Sequence, residues 1–99
     1  MGYDRFPPSF RDDIAEAVQI LRDLGAKHVY LFGSVLGAGD GGVAHDLDIA
    51  VSGLPQSEFF RAYGKLSMTL SHPFDLVDLD NDAAFVRTLR ESGQLEEVA

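Results

Sequence analysis

The chain has 99 residues, a formal charge of −8 and no cysteine, which bounds it to one modest domain and excludes disulfides, zinc–thiolate sites and thiol nucleophiles. Its 45% hydrophobic and 24% charged residues are those of a soluble globular domain; no apolar run approaches the roughly 20 residues of a membrane span. The eight Lys and Arg are scattered, with none between His28 and Phe60, so direct nucleic-acid binding is not expected.

Residues 1–8 read as an extended lead-in, because Pro7 and Pro8 disfavour helix. They hold no apolar signal core, so a cytoplasmic location is the expectation. From Ser9 to Leu24, Phe10, Ile14, Ala17, Val18, Leu21 and Leu24 recur at helical spacing. Ser9 is placed to cap this helix, Asp12 and Asp13 to suit the dipole of its first turn, and Gly25 to end it.

His28 to Phe32 is a short apolar run of the kind a buried strand shows, stopping at Gly33-Ser34. A glycine-rich connection, Gly37 to Gly42, leads to a second strand, Asp46 to Val51. Pro55 to about Leu70 is a second helix, with Phe59, Phe60, Tyr63, Leu66 and Leu70 on its apolar side. Phe74 to Leu79 is a third strand, Asp80-Asn81 a turn, and Asp82 to Ser92 a last helix closed by Gly93. The order predicts one α/β (α+β) domain over residues 1–99, a mixed three-stranded sheet with helices packed on it.

Three motifs compete for the chemistry. Gly37, Gly39 and Gly42 spell GxGxxG after a strand, but a dinucleotide fingerprint must open directly into a helix. Here another strand follows, and a plain surface connection is the better reading. Gly33-Ser34 is better placed: a glycine ending a buried strand lets the backbone approach a ligand, and the serine can cap a short helix or serve a phosphate. A simple turn would use the same two residues. Among the Asp-x-Asp pairs, Asp78/Asp80 and Asp80/Asp82 run through a turn, where aspartates are ordinary. Asp46/Asp48 instead enters an apolar strand, with both carboxylates on one face roughly 6.6 Å apart. Such carboxylates repel one another, and Mg²⁺ relieves that repulsion. Asp75 and Asp78 lie three apart on the third strand, so only one of them can join the cluster.

Taken together, Leu31-Phe32-Gly33-Ser34, Asp46-Leu47-Asp48-Ile49-Ala50-Val51 and Phe74-Asp75-Leu76-Val77-Asp78-Leu79 resemble the minimal nucleotidyltransferases of the DNA polymerase β superfamily. The resemblance implies that Gly33 and Ser34 hold a triphosphate, and that Asp46, Asp48 and Asp75 are the catalytic carboxylates and ligate a pair of Mg²⁺ ions. Asp78 remains the alternative third carboxylate. It also implies transfer of a nucleoside monophosphate, AMP from ATP or another NTP, to a hydroxyl. Small members of this family pair with HEPN-domain proteins in toxin–antitoxin modules, so a HEPN-type toxin is the implied partner and antitoxin the implied role. So small a domain is expected to work in a homo- or hetero-oligomer, with Phe59, Phe60 and Tyr63 as contributors to an interface, although core packing is the commoner explanation for such a cluster.

The sequence departs from the family pattern at three points. Val35-Leu36-Gly37 stands where an Arg commonly follows Gly-Ser, His45 replaces a Ser, and the connection to Asp46 is one residue longer. The lost cation motivates the alternative reading: a binding module with this fold that neutralises a partner by direct association, with weak or no catalysis.

Overall fold

The computed structural model describes residues 3–37, 46–81 and 83–99. The glycines of the GxGxxG string beyond Gly37, as well as His45 and Asp82, lie outside the described residues. The elements are α1 (Pro8–Asp23), β1 (His28–Phe32), a 3₁₀ turn (Gly33–Gly37), β2 (Leu47–Ser52), α2 (Gln56–Thr69), β3 (Phe74–Asp78), α3 (Ala84–Ser92) and β4 (Glu96–Glu97). The sheet order is β3-β2-β1-β4. β1 runs antiparallel to β2 and β4, while β2 and β3 run parallel. Among the described residues, no helix is long and apolar enough to cross a membrane.

The expected mixed sheet with packed helices is present, but it has four strands rather than three. The fourth is the two-residue β4, paired at Leu31↔Glu96 and Tyr30↔Glu97. Backbone bonds extend the contact, from Val98 N–H to Val29 C=O at 2.8 Å and from Val29 N–H to Ala99 C=O at 3.0 Å. Two glutamates carry no apolar alternation, so the main chain makes the ladder, while their carboxylates tie the strand to Arg5 and His28.

Alternation along each strand divides the core between two layers. Val29, Leu31, Leu47, Ile49, Val51 and Leu76 face α1 and α2, meeting Phe10, Ile14, Leu21, Ala62 and Leu66. Phe32 and Ala50 face the other way, onto Val86 and Leu89 of α3. Cover on both faces explains why β1 and β2 read as nearly continuous apolar runs.

Three local expectations are corrected. Tyr3–Phe6 is a turn, not extended chain: Phe6 N–H donates to Tyr3 C=O at 3.1 Å and the Phe6 ring is buried. Pro8 opens α1, where its missing N–H costs nothing. Pro7 therefore takes the cap position in place of Ser9, no side chain caps the helix, and Asp12 and Asp13 fall beyond the first turn. On α2, Ala62 and Leu66 are the buried residues, while Phe60 is 85% exposed.

Asp13 has a different task. Its carboxylate is buried and accepts bonds from Ser71 N–H and His72 N–H, each at 3.0 Å, and from the Ser71 hydroxyl at 3.0 Å. The His72 Nδ1 lies 2.8 Å away, and the His72 ring stacks on Phe10 with centroids 4.0 Å apart. The carboxylate thus fastens the α2–β3 connection to α1. The next residue, Pro73, accepts a bond from Leu47 N–H at 2.9 Å, which starts the β2–β3 register.

Candidate active site

That register decides which carboxylates meet. Asp48 of β2 pairs with Asp75 of β3 across parallel strands, and Phe32 of β1 pairs with Asp48 from the other side. Paired residues on neighbouring strands share a face, so Asp48 and Asp75 project side by side at one end of the sheet. Asp46 lies two residues before Asp48, exposed at the entry to β2. Electrostatics tie the three together. Burial pushes the Asp48 carboxyl above its ordinary value near 3.8, and the charges of Asp75 and Asp46 push it further the same way.

Gly33 closes the arrangement from β1. Its φ is +77°, a conformation that L side chains rarely adopt. A Cβ there would lie 2.0 Å from Asp48 Oδ2 and 3.0 Å from its Cγ. The glycine is therefore needed twice, for its backbone angle and for the space the carboxylate takes. Ser34 follows, exposed, in the 3₁₀ turn, and the fully buried Val35 pins that turn to the core. The apolar residue standing where the family carries a cation is thus an anchor for the turn. Sequence reasoning noted its position and missed this role.

Asp78 points elsewhere. It pairs with Val51 in the register, and its Oδ1 accepts a bond from Asp80 N–H at 2.9 Å. Asp80 in turn accepts from Gly53 N–H at 2.8 Å. These two aspartates build the turn after β3, as their sequence context suggests. His28 and His72 are also engaged away from the cluster, with Glu97 and Asp13 respectively.

The donor set is all oxygen, as a hard divalent cation requires. Among the described residues, no three carboxylates or imidazoles stand close enough to cage an ion. The fit is one of chemistry: three aspartates whose charges meet at Asp48, its carboxyl raised by burial and by the charges of Asp75 and Asp46.

Comparison with known proteins bears on the family and the fold. The family described as "Polymerase beta, Nucleotidyltransferase" matches residues 16–95. The chain belongs to this family. Nucleotidyltransferase-fold chains among solved structures are similar too. One, from a toxin–antitoxin MntA–HepT crystal structure, is 26% identical with a TM-score of 0.59, covering 88% of this chain and 69% of that one. A second comes from a structure described as a tri-AMPylated Shewanella oneidensis HEPN toxin in complex with MNT antitoxin. It is 27% identical with a TM-score of 0.61, with the same coverage of 88% and 69%. A third, from a toxin–antitoxin structure with AMP-PNP, is 28% identical with a TM-score of 0.58, covering 87% and 69%. No curated protein sequence matches. The minimal nucleotidyltransferase resemblance seen in the motifs is therefore shared by family and fold.

Proposed function

We propose that this chain is a Mg²⁺-dependent nucleotidyltransferase that moves AMP from ATP to a hydroxyl on a HEPN-type partner, acting as antitoxin of the pair. The observation that carries this reading is the close approach of Gly33 to Asp48, with Asp75 in register beside them. The similar structures include an AMPylated HEPN toxin and an AMP-PNP complex, which supports both the nucleotide and the partner.

In this reading Gly33 and Ser34 bind the triphosphate through backbone N–H groups and the serine hydroxyl. Asp46, Asp48 and Asp75 would hold Mg²⁺. The bound ions supply charge neutralisation at the phosphates and alignment of the attack. Asp75, exposed at the rim, would take the acceptor's hydroxyl proton as its oxygen bonds to the α-phosphorus and pyrophosphate leaves.

The test combines the purified chain, ATP, Mg²⁺ and the product of the neighbouring gene, read by intact-mass spectrometry. The partner gains the mass of AMP with the wild type and not with Asp48→Asn. Equal labelling by Asp48→Asn would falsify the site assignment.

A second reading follows from the stretch without Lys or Arg between His28 and Phe60. A phosphate site lacking a fixed cation suits a module that neutralises its partner by association alone. An Asp46→Asn/Asp48→Asn variant then suppresses the partner as well as the wild type does; loss of suppression in the folded double variant eliminates it.

A further inference from the structure

Among the described residues, β3 lies at the edge of the sheet, with β2 on one side and no strand on the other. Leu79 N–H donates to Val51 C=O and Pro73 C=O accepts from Leu47 N–H, at 2.8 and 2.9 Å. Alternate residues of a parallel strand turn their main chain to the same neighbour, so Pro73, Asp75, Val77 and Leu79 face β2. Leu76 and Asp78 face the open edge. The Asp78 C=O is used by Asn81 N–H at 3.2 Å. That leaves the Leu76 N–H and C=O and the Asp78 N–H directed outward.

A groove of about 560 Å³ runs along this edge between α2 and α3, with Leu76, Val77 and Asp78 as its floor. Its walls are aromatic: Phe59 and Phe60 from α2, and Phe85 from α3. Phe60 and Phe85 are 85% and 56% exposed, far more than a folded domain gains from leaving two phenylalanine rings in water. An unpaired strand edge beneath exposed rings is a template for an extended chain.

The charge of the edge selects among occupants. Asp80 is exposed along it and Asp78 half-exposed, in a chain of net charge −8. Pairing with a second copy would set these carboxylates against themselves. We infer that the groove docks an extended, basic segment of a partner polypeptide, which adds a strand to β3 and seats its alternate apolar side chains between Phe60 and Phe85. This inference stands apart from nucleotidyl transfer, since neither Gly33 nor Asp48 takes part.

The test selects short linear peptides from a phage library on the purified chain. The expected binders carry apolar residues at every second position, with Lys or Arg among the others. Addition of a synthetic binder slows amide exchange at Leu76 and Asp78. The Phe60→Ala/Phe85→Ala variant, changed only at exposed rings, binds it about tenfold more weakly, on the scale of losing aromatic anchors. Asp48→Asn binds as the wild type does, so docking and transfer fail separately. Protection elsewhere, or undiminished binding by the double variant, overturns the inference. So does concentration-dependent protection of Leu76 without peptide, which would assign the edge to a second copy.

Discussion

Asp13 and Asp48 are both aspartates drawn into the body of the protein, and their environments treat them in opposite ways. Burial would raise the Asp13 carboxyl, but bonds from the Ser71 backbone, His72 imidazole, Ser71 hydroxyl and His72 backbone outweigh it and hold the group below its ordinary 3.8. Burial raises Asp48 too, and there the charges of Asp75 and Asp46 add to the penalty. One carboxylate has its partners built in; the other is surrounded by further acids. A carboxylate satisfied by the chain stabilises the fold, whereas one opposed by the chain is, in the proposed function, the one that holds a ligand.

The largest expected effect separates the two by activity. Asp48→Asn keeps the shape and removes the charge, and transfer to the partner falls by roughly 10²–10³-fold, the scale of losing one preorganised electrostatic group. Asp13→Asn, measured in the same assay where it is folded, leaves transfer within a few-fold. A comparable loss in both variants breaks the distinction between holding the fold and holding the ligand.

Stability reverses the ranking. Asp13→Ala strands the N–H donors of Ser71 and His72 at a part-buried turn. The cost is roughly 1–2 kcal/mol, below the upper end for fully buried groups because Ser71 is exposed to water, visible as a fall in the chemical-denaturation midpoint. The α2–β3 connection should loosen first, so faster amide exchange at Ser71 and His72 is the local signature. If Asp13→Ala unfolds at the wild-type midpoint, the clamp contributes nothing.

This contrast also marks what the sequence could disclose. Local pattern placed β1 at His28–Phe32, as observed, and put Gly33 and Asp48 at strand boundaries, because strand ends and glycine turns are written in neighbouring residues. The choice between Asp75 and Asp78 needed the register, which no local window contains. Parity showed that only one could join the cluster; the Asp48↔Asp75 pairing brings Asp75 there and leaves Asp78 to its turn. The Asp13 clamp joins residues 58 and 59 apart in sequence, with Ser and His as ordinary-looking partners, and carries no motif. β4 is written in backbone bonds and in contacts of Glu96 and Glu97 with the distant Arg5 and His28, and it has no apolar alternation to find. Phe60 looked apolar enough for the core, but only the packing of α2 through Ala62 and Leu66 shows it turned outward.

Gly33→Ala sharpens the comparison from the backbone side. The new Cβ overlaps Asp48 Oδ2 and the positive φ becomes strained. A left-handed L residue alone costs roughly 1–2 kcal/mol, and the displaced carboxylate adds loss of transfer. Calorimetry and the labelling assay should therefore fall together, unlike Asp48→Asn, where only transfer falls. Wild-type stability and transfer in Gly33→Ala would mean that the close approach is unnecessary.

The smallest effect is the one with the least intuitive sign. Asp48 is ionised at neutral pH against its own environment, so Asp48→Asn should stabilise the fold there, by roughly 1 kcal/mol at most for a like-charge cross-strand pair. Because the folded carboxyl titrates above 3.8, the wild type begins to shed this cost as pH falls through that higher value, and the two melting curves converge only once pH is below the unfolded value. Asp13 behaves oppositely. Its folded value is depressed, so its contribution is complete above 3.8 and disappears only as pH falls through the lower folded value. Mg²⁺ adds a second lever, raising the wild-type melting temperature at neutral pH and leaving Asp48→Asn unmoved. A melting temperature for Asp48→Asn at or below the wild type at neutral pH would show that the acidic cluster carries no strain, and the two aspartates would then be alike.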